Sequence, residues 1–254
     1  MKVALFITCL ADNLYPQVGE AVVRILNRCG VRVEFPEAQT CCGQPAFNSG
    51  YAGEARAVGR TLLDAFADAD YVVSPSGSCS GMVRHYFPSL FADDPALLRR
   101  ARELEHKTYE FSQFLVRVLG VTDVGAAFPH SVTYHPSCHA SRLLGIADEP
   151  LELLRHVRGI RLAELPHAED CCGFGGTFAL KMHEISTAMV AEKAEHVLST
   201  GAEVLVGTDA GCLMNIGGRL RNQGSPLRVL HLAELLWEGI GIAAGAGAAS
   251  AAGS

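Results

Sequence analysis

TCCGQPAFNSGYAG (residues 40–53) and DCCGFGGTFALK (170–181) read as two copies of one phrase, an adjacent cysteine pair followed by glycine. Working outward from each, the same neighbours recur. Upstream, TCLADN (8–13) matches SCHASR (137–142), with 31 residues between Cys9 and Cys41 and 32 between Cys138 and Cys171. Downstream, PSGSCSGMV (75–83) matches TDAGCLMNI (208–216), with 36 residues between Cys42 and Cys79 and 39 between Cys172 and Cys212. The closing segments TYEFSQFLVRVLG (108–120) and VLHLAELLWEGIG (229–241) match as well. Chance could place one CCG, but not two at matched distances from a preceding and a following cysteine. A period of about 130 residues is the size of a domain, not of a solenoid module.

Within each copy, short apolar runs alternate with helical patterns. KVALFIT (2–8) and YVVSP (71–75) are expected to be buried strands, and VRVEF (31–35) alternates like one. Val18, Val22, Ile25, Leu26 and Cys29 fall on one face of a helix over 17–29, and 52–68 is an Ala-rich helix. Residues 103–119 are expected to form the helix that closes the unit. The second copy repeats the order with strands at 131–135, 161–165 and 203–208 and helices near 149–157, 180–199 and 231–239. Strands spaced by helices predict an α/β fold, two pseudo-symmetric units each with a mostly parallel sheet flanked by helices. The boundaries are set at 1–125 and 126–241, with the Ala/Gly tail 242–254 expected to be disordered.

In a parallel sheet every strand ends on the same edge, and ligands bind in the crevice beyond it. Cys9, Cys41, Cys42 and Cys79 each follow a strand of the first unit, as Cys138, Cys171, Cys172 and Cys212 do in the second. The topology therefore gathers four thiols per unit. A helix start beside each pair lowers thiol pKa and favours bound negative charge.

The chain has 254 residues, long enough to bury a core without disulfides or structural metal, yet nine are cysteine. The start MKVALFITCLADN reads as a strand and not as a signal peptide, and no apolar run is long enough to span a membrane. A cytoplasmic protein with reduced thiols is the expectation. A net charge of −6 without a basic block argues against nucleic acid. There is no Rossmann G-x-G-x-x-G and no flavin fingerprint, so nucleotide cofactors would come from other chains.

Four thiolates suit an iron–sulfur centre or zinc. Zinc sites favour short C-x2-C knuckles, and adjacent cysteines grip one small ion poorly while they can reach different irons of a cluster. Two other readings remain open. One is a thiol–disulfide enzyme working through the vicinal pairs, whose adjacent geometry is strained as a disulfide. The other is a zinc-stabilised interaction subunit. His135 and His139 flank Cys138 and are weak catalytic candidates, set against a role lining a turn. Arg142, His167 and His183 lie near cysteine segments without defining an anion clamp. Cys29 has no counterpart and is expected to pack as an inert thiol.

The two arrangements C-x31-CC-x33-SGSC and C-x32-CC-x36-DAGC resemble the duplicated cysteine-rich CCG domain. That domain occurs in the B subunit of heterodisulfide reductase and the iron–sulfur subunit of glycolate oxidase. The likeness covers about residues 2–241. It implies an iron–sulfur oxidoreductase component with the eight cysteines as iron ligands, one or two clusters per chain, of [4Fe–4S] type. It further implies a lactate-utilisation complex that oxidises L-lactate, a small 2-hydroxy acid, to pyruvate. The partners would be a ferredoxin-like iron–sulfur protein and a third subunit. The wider family ends each unit in C-x2-C, and heterodisulfide reductase uses five cysteines for a non-cubane cluster. Here Ser76 and Asp209 replace the first cysteine of that element, so no fifth thiolate carries over. Asp209 is a candidate additional ligand, and Ser76 a candidate helix cap.

Overall fold

The computed structural model describes residues 1–251, with side chains described through residue 245. It contains two four-stranded sheets, both entirely parallel. The first is ordered β2-β1-β3-β4, from β1 (Val3–Leu5), β2 (Val33–Glu34), β3 (Tyr71–Ser74) and β4 (Thr108–Glu110). The second repeats it as β6-β5-β7-β8, from β5 (Ser131–His135), β6 (Arg161–Ala163), β7 (Val204–Gly207) and β8 (Arg228–His231). The expected α/β architecture of two pseudo-symmetric units is therefore present.

Strand periodicity of two assigns side chains to two cores. In β1, Val3 and Leu5 enter a core shared by both units, together with Phe111, Val132, Tyr134, Val204 and Leu235. Ala4 and the following Phe6 point the other way, into an outer core with Phe66, Phe87, Cys42 and Cys79. The second unit has its own outer core, built on Val190, Leu205, Ile216, Cys172 and Cys212. The outer cores of the two sheets thus each end on two cysteines.

Two expectations differ from the structure. Residues 103–119 are not one helix: helix Pro95–Lys107 ends, β4 adds the fourth strand, and helical structure resumes at Phe111. Glu110 causes this break. Its buried carboxylate accepts from the amides of Ser112 and Gln113 at 2.8 and 3.2 Å, starting a new helix. The matching segment near 231–239 likewise begins as β8 before its helix. That helix, Leu232–Ala251, also runs through the first part of the tail expected to be disordered. Alanine, the best helix former, extends a helix already anchored by Leu232, Leu235 and Leu236. Residues 252–254 lie outside the described residues.

The units meet through short elements after β3 and β5. Helix Gly77–Gly81 lies against helix Cys138–Leu144 so closely that a Cβ on Gly77 would sit 2.6 Å from the Ala140 Cβ and 3.0 Å from its amide nitrogen. Ser76 and Asp209 form an isolated antiparallel bridge across the junction. At the far side the last helix packs on helix Pro16–Arg28, with the Arg24 guanidinium 5.5 Å from the Trp237 ring centre.

Candidate metal centre

The eight repeated cysteines all lie beyond the carboxyl ends of strands. Cys9 and Cys138 open helices Cys9–Leu14 and Cys138–Leu144, directly beyond β1 and β5. Cys79 and Cys212 lie in the first turns of helices Gly77–Gly81 and Ala210–Asn222, beyond β3 and β7. The pairs Cys41–Cys42 and Cys171–Cys172 occupy the loops after β2 and β6. Gly43 and Gly173 follow them with φ of +81° and +79°, a left-handed conformation that L side chains resist. Space also demands glycine there, since a Cβ at Gly173 would lie 2.8 Å from the Ser186 carbonyl oxygen.

The loops are fixed by struts that the sequence does not announce. The Gln39 amide accepts from the Ile7 N–H and donates to the Leu5 carbonyl, both at 3.0 Å, extending the edge of the first sheet. The second unit uses Lys193, whose ammonium donates to the His167 carbonyl at 2.6 Å. Asn215 donates to the Cys172 carbonyl at 2.8 Å. The Ser49 and Thr177 hydroxyls, 2.9 Å apart, join the two pair-bearing loops.

All eight of these cysteines line one cavity of about 460 Å³ between the units, with Leu10, Leu180, Phe174 and Met214 on its apolar walls. Within the first set, the Sγ atoms of Cys9 and Cys41 are 3.6 Å apart and those of Cys42 and Cys79 are 3.4 Å apart. The Gly43 and Gly173 amides donate to Cys41 and Cys171 at 3.5 and 3.4 Å. Neighbouring thiols, then these amides, hold Cys41 down at about 3, and the same two causes hold Cys171 down at about 2. The thiols beside them move the other way. Hydrogen bonding to the Cys41 or Cys171 sulfur, then burial, raises Cys9 and Cys138. Cys42 and Cys172 are raised by the same sulfurs, next by Cys79 and Cys212, and then by burial. One thiolate per set is stabilised while its neighbours keep their protons, because packed thiolates repel. A bound cation would remove that conflict and release the protons.

The remaining candidates separate cleanly. His135 is buried at 2% exposure and neither ring nitrogen has a partner. Burial and the positive charge of Lys193 push its imidazole down to about 4, so it is neutral at pH 7. His139 is half-buried on the cavity wall, with Nδ1 3.6 Å from the Cys138 sulfur. Asp209 is occupied as a strut. One carboxylate oxygen accepts from the Ser76 hydroxyl at 3.1 Å and the Ser78 amide at 2.9 Å, and the other accepts from the Gly211 amide at 3.1 Å. Ser76 in turn caps its helix by accepting from the Cys79 amide at 3.2 Å. Cys29 is half-buried against the shared core, away from the cavity, and burial raises its thiol. Arg142 donates to the Glu169 carbonyl at 2.8 Å and His167 stacks on His196. Neither lines the cavity.

The CCG cysteine-rich domain model matches this chain twice, over residues 3–84 and 132–217. The chain is 56% identical over 236 residues to Lactate utilization protein A of Geobacillus thermodenitrificans (strain NG80-2), covering 93% of this chain and 98% of that protein. The chain belongs to the lactate utilization protein A family, built on two CCG domains. Another member, Lactate utilization protein A 2 of Bacillus cereus (strain AH820), is 52% identical over 240 residues, 94% of this chain and 99% of its own. Among solved structures, a putative Asp/Glu racemase from Yersinia pestis aligns over 96% of this chain and 100% of its own at 10% identity. Its TM-score is 0.36, too low for the likeness to carry weight. Among the described residues, no helix is long and apolar enough to cross a membrane.

Proposed function

We propose that this chain is an iron–sulfur-binding oxidoreductase component of a complex that oxidises L-lactate to pyruvate in the cytoplasm. The observation that carries the reading is the convergence of eight cysteines, two sets of four, on one cavity between the units. The donor chemistry fits the group: thiolates bind iron–sulfur clusters, and each set pairs an adjacent CC with two remote cysteines. Cys9, Cys41, Cys42 and Cys79 would hold one centre and Cys138, Cys171, Cys172 and Cys212 another, of [4Fe–4S] type. Such a centre, when bound, accepts and donates single electrons. The protein's own part is to fix the ligands on strand ends, aim the Gly43 and Gly173 amides at sulfur, and exclude water with Leu10, Phe174 and Met214.

The names of the relatives support a place in lactate utilisation. The partners on this reading are a ferredoxin-like iron–sulfur protein and a third subunit that supply the chemistry this chain lacks. The test is reconstitution of the assembly with and without this chain. L-lactate-dependent pyruvate formation should require it, and activity undiminished by its omission would refute the role.

A further inference from the structure

The two units are near-copies, yet they do not surround their cysteines with the same polar groups. Counting three residues back from Cys9 gives Phe6, and from Cys138 gives His135. Strand pairing gives the same match: Leu5 lies beside Val73 and Tyr134 beside Val206, and Phe6 and His135 come next. Phe6 packs in the outer core of the first unit with Cys42 and Cys79. His135 is buried beside Cys172 and Cys212. Among the described residues, these three are the one group of Cys, His or carboxylate side chains whose ligating atoms all lie within 4.8 Å of one another. Neither imidazole nitrogen has a partner in the protein.

We infer that His135 donates an N–H hydrogen bond to the ligand sulfur of Cys172 or Cys212 and so favours the reduced state of the second centre, a contact the first centre lacks. The inference rests on the iron–sulfur reading above and leaves its ligands unchanged, one cysteine to each iron. A ligand thiolate has no proton and can only accept, while an imidazole carries at least one N–H in either charge state. A donor aimed at sulfur is worth more when the sulfur gains negative charge, so such bonds raise a cluster's potential. The backbone donors are matched between the units, the Gly43 amide to Cys41 at 3.5 Å and the Gly173 amide to Cys171 at 3.4 Å. His135 has no such match. Packing does not account for it, because a phenyl ring fills the same place in the first unit, and two buried nitrogens without partners are costly. Asp209, where the first unit has Ser76, donates nothing, since its carboxylate accepts from Ser76, Ser78 and Gly211. His139 is a second unmatched imidazole, with Nδ1 3.6 Å from the Cys138 sulfur, and the experiment separates the two.

The experiment uses full-length protein reconstituted anaerobically with iron and sulfide, and an EPR-monitored redox titration reads the midpoint potentials. His135→Phe, which installs the first unit's residue, should lower one centre's potential and leave the other in place, with iron content unchanged. The expected size is about tenfold in the ratio of reduced to oxidised centre, from one hydrogen bond to a charged group, or about 59 mV for one electron. His135→Gln, which restores an N–H donor, should recover part of the shift. Potentials unmoved by His135→Phe, or an equal shift of every signal, would overturn the inference and leave the cluster reading intact. Loss of iron from folded His135→Phe protein would also overturn it, by making the imidazole a requirement for holding the centre. If His135→Phe does not fold, pulsed EPR of His139→Leu protein carrying 14N- or 15N-histidine decides. A weak, label-dependent nitrogen coupling is expected there, and its absence would overturn the inference. Protein without iron and sulfide would overturn the cluster reading and the hydrogen bond with it.

Discussion

Replacing Asp209 separates a strut from a ligand. Its carboxylate caps helix Ala210–Asn222 through the Gly211 amide and crosses the unit junction to the Ser78 amide and Ser76 hydroxyl. Losing the cap costs about 1 kcal/mol. Leaving the part-buried Ser78 amide without an acceptor costs about 1–2 kcal/mol. The Ser76 hydroxyl adds little, because the Ser78 hydroxyl stands 3.1 Å away as a replacement partner. Asp209→Ala should therefore lose about 2–3 kcal/mol. Asparagine caps nearly as well but keeps only one oxygen, so Asp209→Asn should lose about 1–2 kcal/mol. Urea unfolding of reduced, iron-free protein, followed by Trp237 fluorescence, measures both. Iron and sulfide content of the reconstituted Asp209→Asn protein should equal that of the unsubstituted chain. Unchanged stability combined with loss of iron would rule out the strut and make Asp209 a ligand.

Three further outcomes follow from the same geometry. Gly77→Ala drives a methyl into Ala140, whose backbone cannot retreat, and should cost about 1–3 kcal/mol by urea unfolding; a neutral substitution would deny the close approach. Cys42→Ser and Cys172→Ser should each abolish one centre's EPR signal and leave the other, whereas loss of everything from either would mean a single shared centre. Burial raises the Glu110 carboxyl from an ordinary value of 4.5 to about 7, so the native state binds the proton more tightly than the unfolded chain. Stability should then fall as pH rises from about 4.5 to about 7 and level off above. Glu110→Gln, which retains an acceptor for the helix start, should gain stability relative to the unsubstituted chain between pH 5 and pH 8; a pH-independent difference in urea midpoints would contradict this.

The features legible in the sequence were those written locally. VALF and YVVS are apolar runs, as doubly covered parallel strands favour, and they became β1 and β3; SVTYH and EVLVG, set beside them by the repeat, became β5 and β7. The outer strands β4 and β8 were hidden because each is short, runs straight into a helix, and ends on a buried polar residue, Glu110 or His231. Strand order then carried all eight cysteines to the sheet edges without any further signal. That both edges face the same cavity was not legible, since it depends on contacts 60 or more residues apart, such as Gly77 with Ala140 and Ser76 with Asp209. The struts Gln39 and Lys193 were equally silent, being ordinary polar residues until the chain folds.

On the proposed reading, eight thiols from two repeated units hold iron–sulfur centres. Iron and acid-labile sulfide analysis of anaerobically purified and reconstituted protein, read with EPR of the reduced state, tests it most directly. Iron and sulfide should be present in equal amounts, about four of each per [4Fe–4S] centre, with a reduced-state signal. Stoichiometric zinc, or protein that takes up neither iron nor sulfide after anaerobic reconstitution, would contradict it.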